Sequence, residues 1–184
     1  MNTIIKDAKE RMDKSLNALR NELAKIRTGK ATTALLDSIK VEYYGNQVPL
    51  NQVSNVSVLD AHTLSITPWE KQMVAIIEKA ILESNMGLNP VSDGTNLKIP
   101  IPPLTEERRK ELVKVVKNFG EESKIAIRNI RRDANEHLKR EEKEKKLSED
   151  QFLDAEDEVQ KLTDEHTKLV DEILKHKEDE IMEV

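Results

Sequence analysis

Cysteine is absent from this chain of 184 residues. Disulfides and thiolate-held zinc are therefore excluded, and the protein suits a reducing compartment without requiring one. Aromatic residues are scarce, at 3%: one Trp, two Tyr and two Phe. No apolar run approaches the roughly 20 residues of a membrane span. The first residues, Met1 to Asp7, lack the basic, apolar, small-residue order of a signal peptide, and Asp7, Glu10 and Asp13 make the segment too acidic for a transit peptide. A soluble cytoplasmic protein is expected. Neither a glycine-rich phosphate loop nor a serine or cysteine nucleophile signature is present. No catalytic residue, metal site or cofactor is expected, and the carboxylates Glu156, Asp157 and Glu158 lack a ligand spacing.

What is abundant is charge, at 35%. Long solvated helices accommodate such a composition better than a thick core does. The net charge of −5 conceals an asymmetry: residues 1–30 carry +4, 31–105 carry −3, 106–146 carry +4 and 147–184 carry −10. Local patches, more than the total, decide what such a chain attracts.

Apolar periodicity argues against disorder. Ile5, Met12, Leu16, Leu19, Leu23 and Ile26 recur at helical spacing, and Gly29 is placed to end that helix. Between 31 and 104 the pattern changes. Ile39, Val41 and Tyr43 alternate with polar residues, Gly45-Asn46 reads as a turn, and Val48 to Val58 and Leu64-Ile66 read as further short strands. Thr67, Pro68 and Glu70 spell a capped helix start with a capping box. Trp69 beside them is read as packing. Met73, Ile76, Ile77, Ala80 and Ile81 give that helix its buried face, and Gly87 and Pro90 stop it. Leu97, Ile99 and Ile101 alternate again, with Pro100 and Pro102 marking an edge or terminal strand.

Helical pattern returns from about Thr105 to Lys146, with Leu112, Val116, Phe119, Ala126, Ile130 and Ala134 on one line and an interruption expected near Gly120. At 1.5 Å per residue this segment spans roughly 60 Å. Ser148 and Gln151 form a second capping box, followed by a seam at Phe152, Ala155, Val159, Leu162, His166, Leu169 and Ile173. A helix with one apolar stripe cannot bury it alone. The economical arrangement is an α+β protein: a long antiparallel three-helix bundle (1–30 and 104–184) carrying an inserted small β/α/β domain (31–103). The insertion is tethered twice, so Thr28, Gly29, Lys30 and Ala31 on one side and Pro102, Pro103 and Leu104 on the other are the expected hinge.

On a helical wheel with Ile130 at zero, Lys110, Lys114, Lys117, Lys124, Arg128, Arg132 and Lys139 lie about 120° or more away at 100° per residue. Arg131 sits at the flank, and Glu121 is the main break in the stripe. The plain reading is a solvated bundle face. The functional reading is phosphate contact: the compensating acids are concentrated on the last helix instead of interleaved at i+4, and guanidinium forks suit phosphate. Few aromatics favour structured RNA over stacked single strands. Among the histidines, His62 lies in a turn-rich stretch, His137 and His166 fall on apolar seams as packed polar residues, and His176 is near the tail.

Five segments carry a resemblance. Lys25 to Ala31 (KIRTGKA), Val41 to Gly45 (VEYYG), Gly87 to Pro90 (GLNP), Ile99 to Arg109 (IPIPPLTEERR) and Arg128 to Asn135 (RNIRRDAN) together resemble the bacterial ribosome recycling factor family along essentially the whole chain. Lys30 stands where that family often has arginine, which keeps the charge and loses the fork. The resemblance implies an L-shaped pair of domains. It implies a bundle docked on large-subunit rRNA and a second domain that meets elongation factor G, whose GTP hydrolysis drives subunit separation. It implies a monomeric, non-catalytic, bacterial cytoplasmic factor without DNA or membrane partners. Carried over by motif, Arg109, Arg128, Arg131 and Arg132 are the rRNA-contacting candidates, and the wheel adds Lys117 and Lys124. An alternative is a coiled-coil-like scaffold or chaperone accessory that works through the acidic last helix.

Overall fold

The computed structural model describes residues 2–183. The chain divides into two compact units, one holding the chain up to Arg27 and again from Glu106, the other Thr28–Thr105. The first is a bundle of three helices, α1 (Asn2–Ala24), α3 (Glu106–Lys143) and α4 (Glu149–Met182), each packed on the other two. The second contains β1 (Lys40–Tyr43), β2 (Asn46–Pro49), β3 (Ser54–Asp60), β4 (Thr63–Pro68), α2 (Met73–Glu83), β5 (Val91–Ser92) and β6 (Leu97–Pro100). The protein is α+β.

Side-chain pairs fix the directions in the bundle. Arg131 and Lys124 of α3 meet Gln160 and Asp171 of α4, so these two helices are antiparallel. Ile5 and Leu23 of α1 line grooves with Leu162 and Ile173 of α4, so α1 and α4 run parallel. Met12, Leu16, Leu19 and Leu23 close the α1 side of the core. The α3–α4 turn is secured by Ser148, whose Oγ accepts from the Gln151 N–H at 3.1 Å while Gln151 Oε1 accepts from the Ser148 N–H at 3.0 Å, the reciprocal box its sequence predicts.

Two seams differ from the lines expected. In α3 the middle of the buried face is Gly120, Ser123 and Ile127, while Phe119 and Ala126 are half-buried in a groove against α1. In α4, Thr163 and Val170 are buried and Leu169 is exposed. Each helix has two neighbours, so its buried face centres between them and is wider than one heptad line. The helix α3 continues through Gly120 without interruption. A Cβ there would collide with the Leu174 side chain, so glycine serves close packing of α3 on α4. His137 is exposed, since Leu138 takes the seam. His166 is buried as expected. Its ring nitrogens lie 2.7 Å from the Leu162 carbonyl and 2.7 Å from Asp13 Oδ1, tying α4 to α1.

In the smaller unit β1 and β2 form a hairpin whose two-residue turn, Tyr44-Gly45, has φ of 48° and 80°. That is the turn whose twist matches paired strands, and Gly45 satisfies half of its requirement without strain. The other strands form an antiparallel sheet in the order β3-β4-β6-β5. Leu64, Ile66, Leu97 and Ile99 face one core with Ile77 and Ile81 of α2. The strand β6 is flanked, not an edge, but β5 is only two residues long and ends opposite Leu97 and Lys98. Ile101 N–H reaches the His62 carbonyl on the β4 side, so by alternation the nitrogen of Pro100 faces the open side beyond β5. Proline is tolerated there for that reason.

The expected start of α2 is corrected. Thr67 and Pro68 belong to β4, and the helix begins at Met73 after Gln72, without a side-chain cap. Pairing with β3 holds Thr67 and Pro68 extended. Glu70 instead accepts from Tyr43 Oη at 2.6 Å and Gln72 Nε2 at 2.6 Å. Trp69 is 66% exposed, so it is not a packing residue. No helix among the described residues is long and apolar enough to cross a membrane.

Candidate nucleic-acid interface

The candidate cations separate into those already engaged and those left to solvent. Lys124 is half-buried and pairs with Asp171 at 2.6 Å. Arg128 is exposed and pairs with Glu121 of its own helix at 2.8 Å. Arg131 is half-buried and donates to Gln160 at 3.3 Å. Lys117 and Arg132 are exposed and make no ion pair or hydrogen bond among the described residues, as do Lys114 and Lys139, which the wheel placed on the same side.

Lys114, Lys117, Arg128, Arg132 and Lys139 thus form one exposed line, with Glu121 as the main acid upon it. From Lys114 to Lys139 it runs about 37 Å at 1.5 Å per residue. Lys114 and Lys117, and again Arg128 and Arg132, stand about one helical turn apart, roughly 5 Å, with wider gaps between and beyond the two pairs. The Arg128–Glu121 pair is open to water, where such pairs are worth roughly 0–1 kcal/mol. A phosphate can therefore take over the guanidinium at little cost.

Arg109 stands apart. It is half-buried, and its Nε is buried without a partner among the described residues. Its place near the seam agrees with its wheel angle, about 60° from Ile130 at 100° per residue. Arg11, which sequence reading passed over, reaches Asp133 at 2.9 Å and Asp7 at 4.0 Å. Asp133, inside the RRDAN segment, therefore serves helix packing.

The expected hinge residues all fall within the smaller unit. Gly29 and Ala31 are buried, Thr28, Lys30 and Leu104 half-buried, and Pro102 and Pro103 exposed. Gly29 has φ of 78°, and a Cβ on it would stand 3.3 Å from Leu104 N, so both backbone geometry and close approach require glycine there.

Among the described residues no group of His, Asp and Glu is arranged to hold a metal ion. A cleft of about 770 Å³ lies between the β1–β2 hairpin and α2 of the smaller unit. Lys40, Glu42, Lys79 and Glu83 on its rim carry no nucleophile or general-base arrangement.

Comparison with known proteins gives one answer. The family described as Ribosome recycling factor matches residues 4–182. A ribosome-recycling factor of Thioalkalivibrio sulfidiphilus is 60% identical over 182 residues, covering 99% of this chain and 98% of that protein. One of Paraburkholderia phymatum is 56% identical, covering 98% and 97%. A solution structure of the ribosome recycling factor superposes with a TM-score of 0.75 at 40% identity, over 100% of this chain and 97% of that one. A second structure comes from models for the T. thermophilus ribosome recycling factor and the E. coli elongation factor G bound to the E. coli post-termination complex. It has a TM-score of 0.63 at 48% identity and covers 99% and 98%.

Proposed function

The chain belongs to the ribosome recycling factor family, whose members are translation factors and not enzymes, and from that premise we propose that α3 docks this protein on large-subunit rRNA. The observation that carries the reading is the line of exposed cations Lys114, Lys117, Arg132 and Lys139, unengaged within the protein, with Arg128 held only by a surface pair. Fixed cations on a stiff helix neutralise phosphates and release counterions, which gives strong but salt-sensitive binding. Lys124 and Arg131 sit at the flank and reach the RNA only by leaving Asp171 and Gln160. Arg109 contributes through packing near the start of α3.

The smaller unit receives the push. A related structure is of a recycling factor with elongation factor G on a post-termination complex, and the same partnership is proposed here. The energy comes from GTP hydrolysis by that partner, because this chain has no phosphate-binding loop. The protein then acts as a monomer in a bacterial cytoplasm, and motion occurs about the double tether.

Light scattering of post-termination ribosomes tests this. Protein, elongation factor G and GTP together are expected to split the particles, and omission of any one is expected to abolish splitting. Splitting by elongation factor G and GTP alone at the same rate would refute the reading.

A further inference from the structure

The turn between β3 and β4 binds both tethers. Its Ala61 carbonyl accepts from the Ala31 N–H at 2.8 Å, on the segment entering the smaller unit. Its His62 carbonyl accepts from the Ile101 N–H at 2.7 Å, on the segment leaving it. The His62 ring adds a third bond, with Nδ1 2.9 Å from the Gly29 carbonyl, so the tautomer carrying hydrogen on Nδ1 donates. The turn is itself braced, since Asp60 Oδ1 accepts from the His62 N–H at 2.9 Å, and that bond, followed by the Thr63 hydroxyl, holds the Asp60 carboxyl below the usual carboxylate range. The tethers also touch each other where Gly29 meets Leu104.

We infer that His62 is a positioning residue that clasps the two tethers into the smaller unit, so that bending is confined to the crossings at Arg27–Thr28 and Thr105–Glu106. All contacts of the clasp lie within residues 28–105. Tethers left unlaced would absorb a push as chain entropy. Two segments laced to one turn transmit it to the crossings. Ala61 and Ile101 supply backbone groups that any side chain would leave in place. His62 is the member whose side chain bonds a tether directly, and His62→Ala removes that bond while leaving the backbone bonds in place. This role rests on the force-transmission reading above, while the clasp itself is a property of the isolated protein.

The experiment uses the full chain, with His62→Ala and His62→Asn, the latter placing an amide N–H near the position of Nδ1. The absence of cysteine allows a clean spin-label pair at Lys14→Cys and Asn51→Cys, one in each unit. His62→Ala is expected to speed amide exchange at Ala31 and Ile101 about fivefold, the loss of one ordinary hydrogen bond, and to broaden the label distance distribution. His62→Asn is expected to restore both. Unchanged exchange and an unchanged distribution in His62→Ala would overturn the clasp. On ribosomes His62→Ala is expected to bind as wild type and split several-fold more slowly. Full splitting with a broadened distribution would uphold the clasp and count against force transmission.

Discussion

At the scale of single residues, two side chains make predictions that fold topology alone does not. Tyr43 donates to Glu70, and that bond, then burial and the nearby carboxylate charge, push its phenol up to about 12. Its pKa in the folded state is above its ordinary value of 10.0, so the stabilisation is fully present below pH 10 and is lost as pH rises towards about 12. Ultraviolet titration of tyrosinate is expected to show one phenol ionising near 12, shifted downward by Glu70→Gln. An unshifted midpoint in that variant would remove Glu70 as the cause. Glu121 makes the second prediction. It is the acid at the centre of the exposed line and the partner of Arg128. Glu121→Gln frees a guanidinium and removes a charge that repels phosphate, so large-subunit affinity is expected to rise several-fold at low salt, measured by sedimentation.

Elements were legible in proportion to how locally they are specified. The capping box at Ser148 and Gln151 is a local signal and formed as written. The box at Thr67 and Glu70 is an equal signal, but β3 recruits Thr67 and Pro68 into β4, and ladder bonds outweigh a cap. The three long helices were readable from period, but their seams were not, because period shows a stripe and not how many neighbours share it. Gly120 illustrates this: read as a breaker, it is a contact point. Replacing it by alanine gains about 1 kcal/mol of helix propensity but forces a Cβ onto three atoms of Leu174, and overpacking of this kind costs roughly 1–3 kcal/mol. A net loss of around 1 kcal/mol in thermal unfolding is expected. In Gly120→Ala/Leu174→Ala the combined loss is expected to be smaller than the sum of the two single losses. Additive losses would mean that the two residues do not collide.

For the whole molecule, charge segregation was visible in the sequence and survives in the structure as an exposed cationic line on α3 beside an acidic α4. Which cations remain available was not visible. Lys124, Arg128 and Arg131 find partners through tertiary contacts or at seven residues' distance, beyond any i+4 rule. The clasp at His62 was equally hidden, since it joins positions 29, 62 and 101 that no local pattern connects.

The central claim, that α3 reads rRNA phosphates through its unengaged cations, is tested most directly by the salt dependence of large-subunit binding for wild type and for Lys117→Ala/Arg132→Ala. Each lost phosphate contact lowers the slope of log affinity against log salt by roughly 0.7–0.9. The account predicts a slope shallower by about 1.4 to 1.8, weaker binding at low salt and an unchanged circular dichroism spectrum. An identical slope and affinity in the double variant would contradict it.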